Sequence, residues 1–180
     1  CVLSVSVANA QGWGHIEGQI VVDGDVPEAE LIHAKGAPIK DGTVCAATDL
    51  FANDLLVNKD SKGLANAFVF MYRKPKDIHP DLQAVSDEKV IFDQKNCMFL
   101  THVQAMQVGQ PLDIKNSDPI GHNTKIDPRT GVPFNQNLPT GETVAYIPTA
   151  EEALPASVSC SIHPWMRAYL LPRKDKYFAV

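Results

Sequence analysis

Short runs rich in β-branched and aromatic residues recur along this chain, and residues that favour turns separate them at fairly regular spacing. The runs "GHIEGQIVVD" (14–23), "LANAFVFMY" (64–72), "KVIFD" (89–93) and "MFLT" (98–101) each predict a strand. So do "PLDIKN" (111–116), "TVAYI" (143–147), "ASVSC" (156–160) and "AYLL" (168–171). No amphipathic helix of about 12 or more residues competes with them; only residues 47–57 could make a short one. Residues 26–62 contain Pro27, Pro38 and several glycines and read as irregular, as do 73–87 with Pro75 and Pro80. Many short strands punctuated in this way predict an all-β sandwich of Greek-key type with an N-terminal β elaboration. With no internal repeat and no clear linker, residues 11–180 are expected to form one domain.

A chain of 180 residues can bury one good core and is short for two. A hydrophobic fraction of 44% against 21% charged residues is that of an ordinary globular domain. The net charge of −5 offers no basic footprint for nucleic acid. No run of about 18 apolar residues exists to span a membrane. "CVLSVSVANA" is small and apolar and ends in Ala8-Asn9-Ala10, which reads as the tail of a secretory signal with Gln11 as the new N-terminus. A periplasmic or otherwise exported protein is expected. Setting Cys1 aside leaves Cys45, Cys97 and Cys160, and an odd cysteine in an exported chain is a free thiol or a metal ligand. Cys45 and Cys97 could pair and leave Cys160 alone, though spacing does not decide the pairing.

"CSIHPWM" (160–166) sharpens the question, because Cys160, His163 and Met166 recur at every third position. That spacing suits a helix face, but Pro164 removes an amide donor and strand-like runs flank the stretch. The segment is therefore expected to be a tight loop between two strands, able to turn thiol, imidazole and thioether toward one point. This donor set selects copper: zinc prefers Cys and His without Met, and calcium and magnesium want oxygen.

Such a site needs a second imidazole. His122, in "NSDPIGHN", follows a strand and precedes a polar Asn123, and is read as a loop position. His33 and His79 lie in loop segments and are expected to face solvent, and His15 to sit on the surface. His102 follows Cys97 by five positions and reads as a structural, hydrogen-bonded histidine, with a second metal site shared with Cys97 as the alternative.

From about residue 90 to the end, the chain resembles the cupredoxin family, in particular its plastocyanin and amicyanin group. The resemblance rests on Cys160-x2-His163-x2-Met166, on His122-Asn123 placed 38 positions before Cys160, and on the runs "DQKNC", "HVQAMQVGQPLDIKNSD" and "YFAV". Together with "GHIEGQIVVDG" and "GLANAFVFMY", these look like exported plastocyanin-like proteins of the methylamine-utilisation type. The resemblance implies one type 1 copper site with His122, Cys160 and His163 as ligands and Met166 on the axis. It implies that Asn123 ties the two ligand segments together near the thiolate. It further implies that His163 reaches the surface through an apolar patch with Pro164 and Trp165, and passes electrons there to donor and acceptor proteins. An electron carrier, not an enzyme, is expected. A copper carrier without redox turnover and an Ig-like interaction module, suggested by the N-terminal run, are the competing readings.

Overall fold

The computed structural model describes residues 12–180, so the leader-like segment and Cys1 lie outside the described residues. The strands are β1 (Leu31–His33), β2 (Leu50–Phe51), β3 (Val69–Phe70), β4 (Val90–Lys95), β5 (Met98–Phe99), β6 (Val103–Gln107) and β7 (Leu112–Asn116). They continue with β8 (His122–Asp127), β9 (Phe134–Leu138), β10 (Thr143–Tyr146), β11 (Ala156–Ser159), β12 (Arg167–Arg173) and β13 (Phe178–Ala179). Among the described residues, one four-residue helix, α1 (Gly42–Cys45), and a 3-10 turn at Pro80–Leu82 complete the secondary structure.

Two sheets form the sandwich, in the orders β10-β7-β4-β5 and β6-β12-β11-β8-β9. β4 runs parallel to β7, and β12 parallel to β6, so the chain must cross between sheets and cannot simply meander. The predicted all-β Greek-key sandwich is what forms. Alternation drives it: Leu112, Ile114 and Asn116 of β7 are buried while Asp113 and Lys115 are not, and Ala156 and Val158 of β11 point in while Ser157 is exposed. Phe92, Phe99, Leu112 and Ile114 from one sheet meet Met106, Ile126, Val158 and Leu170 from the other in the core.

The N-terminal third is built differently from its prediction. "GHIEGQIVVD" contributes one bridge, Val21 to Gly63, and no strand. Of residues 64–72 only β3 is extended, paired with β13. Residues 47–57 hold β2 and no helix; the helix is α1, just before them. β6, β8 and β9 were not predicted, since their polar residues obscure the alternation.

The β4–β5 hairpin brings this elaboration onto the sandwich. Lys95 pairs with Met98, and the intervening Asn96 and Cys97 both have φ of 54°. Two positive φ values match the type I′ turn that suits the twist of a hairpin. Cys97 at this turn forms a disulfide with Cys45 at the end of α1, with Cα atoms 5.1 Å apart.

Candidate metal centre

Three loops at one end of the sandwich converge. The first precedes β8. Fully buried Asn116 donates to the carbonyls of Ile120 (2.8 Å) and Leu138 (2.9 Å) and accepts from the Asp118 amide (3.0 Å). These bonds turn residues 117–121 so that His122 enters as the first residue of β8, opposite Leu138. His122 is thus a strand residue and not the loop residue expected.

The second loop joins β11 to β12. The Met166 amide donates to the His163 carbonyl (3.0 Å) and the Cys160 amide to the Met166 carbonyl (3.3 Å), so the segment closes on itself as a loop, not a helix. His122, His163 and Met166 have no exposed surface and Cys160 is 2% exposed.

His122 Nδ1 lies 3.1 Å from His163 Nδ1, and Cys160 Sγ 3.9 Å from that same His163 nitrogen. Donor atoms of the three residues all fall within 4.8 Å of one another. An ion holding imidazole nitrogen at about 2.0 Å and thiolate sulfur at about 2.3 Å sets such donors about 3 to 4 Å apart, so the spacing fits one small first-row ion.

The outer nitrogens say more. His122 Nε2 meets Asp118 Oδ2 at 2.7 Å, and His163 Nε2 meets Asp41 Oδ2 at 3.0 Å. A carboxylate can only accept, so each Nε2 carries its ring's proton and each neutral ring presents a lone pair at Nδ1. Two buried lone pairs facing each other across 3.1 Å repel unless a cation lies between them. A metal ion or a shared proton satisfies the pair, and the Cys160 sulfur beside it offers a third donor to a metal. Carboxylate-held histidines of this kind are the usual outer support of metal ligands.

Asn123 binds the two ligand segments together. Its backbone amide donates to Cys160 Sγ (3.4 Å), and its side-chain oxygen accepts from the Ser161 amide (3.3 Å). Its side-chain nitrogen contacts Asn135 Oδ1 (2.9 Å), the Gln136 carbonyl (3.1 Å) and Asn137 Oδ1 (3.2 Å) on β9.

The electrostatics prepare the thiolate. Burial pushes the Cys160 thiol up, but hydrogen bonds from the protonated His122 ring and from the Asn123, His163 and Ile162 amides outweigh it, and its pKa ends below the ordinary thiol value. Burial likewise pushes His122 down, yet its bonds to Cys160 and Asp118 carry it above the ordinary histidine value. His163 ends below that value because burial outweighs the pull of Asp41.

The third loop carries Asp41 and was not anticipated. It covers His163, which therefore does not reach the surface as expected; burial places an N-terminal carboxylate where solvent was predicted. Pro164 is exposed and Trp165 half-buried, with its ring centroid 5.3 Å from that of His163. Trp165 Nε1 donates to the Cys97 carbonyl (3.2 Å). His33 is not solvent-facing either: its ring packs edge-on against Trp165, centroids 4.7 Å apart. His79 is half-buried, packs against Trp13 and accepts from the Asp81 amide, while His15 is exposed. His102 is buried beside the Arg167 carbonyl, and because Cys97 is spent in the disulfide the two do not share a metal site.

Asp118 lies four positions before His122, a signal available in "NSDPIGHN". Asp41 gave none, being 122 positions from His163 in a run that reads as a turn.

No protein-family model matches the sequence, and no curated protein matches it. Among solved structures, part of the chain is similar to a Cu-containing nitrite reductase from Thermus scotoductus, at 22% identity and a TM-score of 0.45. That likeness covers 50% of this chain, which spans 23% of the reductase. Another likeness is to amicyanin from Paracoccus versutus, at 16% identity and a TM-score of 0.42, covering 49% of this chain and 85% of that one. A variant amicyanin in its reduced Cu(I) form is similar at 17% identity and a TM-score of 0.43, over 49% of this chain and 86% of that one.

Proposed function

We propose that this chain is a type 1 copper protein that carries single electrons between redox partner proteins in an exported compartment. His122, Cys160, His163 and Met166 would hold the copper. The reading rests on the donor set and not on the structural likenesses. The observation that carries it is the convergence of two carboxylate-held imidazoles on one thiol inside a buried loop cluster.

Copper, when bound, supplies a one-electron Cu(I)/Cu(II) couple. The protein supplies rigidity. Asn123 and the closed 160–166 turn hold the ligand segments in one arrangement, so little has to move when the charge changes. The Asn123 amide hydrogen bond stabilises negative charge on sulfur, and burial keeps water from the donors. Pro164 and Trp165 offer the partner-facing patch, with Trp165 linking His163 toward the surface. His122, Cys160, His163 and Met166 are all buried, so a substrate has no open path to them, which favours a carrier over an enzyme.

The disulfide favours an oxidising compartment, in keeping with export. Among the described residues no helix is long and apolar enough to cross a membrane. A copper carrier without redox turnover would need an accessible donor to hand the ion over, and the burial of all four disfavours it. One visible spectrum after copper(II) addition tests the reading. An intense thiolate-to-copper charge-transfer band is expected, and Cys160→Ser should abolish it. A protein that stays colourless and takes up only Cu(I) would overturn electron transfer in favour of carriage.

A further inference from the structure

We infer that Asp41 is the positioning residue of His163: it holds the imidazole in the tautomer and orientation that aim Nδ1 at the metal, from a segment latched to the sandwich by the Cys45–Cys97 disulfide. The inference rests on the copper reading above and deepens it.

Asp41 Oδ2 lies 3.0 Å from His163 Nε2 across 122 positions of chain. His163 is fully buried, so its Nε2–H has to find an acceptor inside the protein, and Asp41 is that acceptor. Remove the carboxylate and the ring is free to rotate or to exchange tautomers, and either change takes Nδ1 off target.

The backbone around Asp41 is shaped for this contact. Asp41 has φ 53° and ψ 33°, a left-handed conformation that costs a non-glycine residue and persists only where its surroundings enforce it. The Val44 and Cys45 amides, both donating to the Asp41 carbonyl at 2.9 Å, provide one part of that enforcement. The disulfide provides another, since Cys45 is bonded to Cys97 and a His163 ring nitrogen lies within 4.8 Å of both sulfurs.

The far side of the bridge mirrors the near side. The amides of Asn96 and Cys97 donate to the two oxygens of Asp118 at 2.6 and 2.8 Å, and Asp118 in turn holds His122. The carboxylates behind both imidazoles therefore hang from opposite ends of one disulfide. Asp118 belongs to the sandwich itself. Asp41 comes from the N-terminal elaboration, which in this way completes the support of the metal centre.

The test compares wild type with Asp41→Ala and Asp41→Asn, loaded with copper(II) and, for NMR, with zinc(II). Circular dichroism first establishes that each variant is folded. In the zinc-loaded wild type the His163 Nε2–H should exchange slowly with solvent; in Asp41→Ala that protection should disappear. Copper(II) affinity, read by chelator competition, should fall about 10- to 100-fold in Asp41→Ala, the usual loss when a ligand's outer partner is removed. Asp41→Asn keeps an oxygen that can accept the same proton, and should retain both the protected signal and most of the affinity. If wild type forms the thiolate–copper band and Asp41→Ala matches it in affinity and in proton exchange, the positioning role is wrong while the copper centre stands. If wild type binds no copper, the copper reading fails and takes this inference with it.

Discussion

His122 and His163 present their Nδ1 atoms to each other at 3.1 Å, although 41 positions separate them in the chain. Each ring is held from behind by a carboxylate, so the interval between them is the most strongly cation-seeking point of the centre.

The first prediction concerns pH. In the metal-free protein one proton, not two, is expected to occupy that interval. His122 is raised above the ordinary histidine value of about 6.5 and takes the proton, while His163 is lowered and stays neutral. The raised group stabilises the fold below about pH 6.5 and loses that contribution as pH climbs through its folded value. The lowered group behaves oppositely: its contribution is present above about pH 6.5 and is lost as pH falls through its folded value. A metal must displace the proton on His122 as well as any on the Cys160 thiol, so the fall in copper(II) affinity should steepen by about tenfold per pH unit below the His122 value. Chelator competition over a pH series measures the slope. A slope that does not steepen across that pH would mean that His122 carries no displaceable proton.

The disulfide closes a loop of 52 positions. The chain-entropy relation assigns such a loop about 4 kcal/mol of stability. Cys45→Ser combined with Cys97→Ser should lower the unfolding free energy by about 2–5 kcal/mol in denaturant titrations. The paired change also tests the N-terminal segment, because a double variant that keeps wild-type hydrogen-exchange protection at Asp41 and Val44 would show that the bridge does not hold it.

Asn123 touches four other residues through its side chain alone. Asn123→Ala leaves the Ser161 amide and the β9 groups without that partner, and should cost about 1–3 kcal/mol in thermal or chemical unfolding. Its backbone amide still reaches Cys160 Sγ, so the thiolate–copper band should persist, weakened in intensity or shifted, and not vanish.

The sequence showed some of this and hid the rest, for physical reasons. β7 and β11 were legible because Leu112, Ile114, Ala156 and Val158 alternate cleanly with polar residues facing out. β8 was not, because His122, Asn123 and Thr124 are all buried in succession, two of them for the centre and not for the core. A strand that buries polar residues for a site reads as a loop. The loop holding Cys160, His163 and Met166 was legible because Pro164 and its flanking strands exclude a helix. The closure over His163 was invisible: it depends on Asp41 adopting a left-handed backbone next to a disulfide, and neither condition leaves a local pattern.

Met166 provides the last prediction. It has no exposed surface, which serves equally a core residue and an axial ligand. The two roles separate by substitution. A thioether is a soft donor that favours Cu(I), whereas the carboxamide oxygen of glutamine is harder and favours Cu(II). If Met166 is the axial ligand, Met166→Gln should lower the reduction potential while keeping the thiolate–copper band. If Met166 only fills the core, the buried amide should instead cost stability by leaving a polar group unpaired, with the potential unmoved. Voltammetry on the copper-loaded variant, set beside its unfolding curve, distinguishes the outcomes, because ligation moves the potential and packing moves the melting transition.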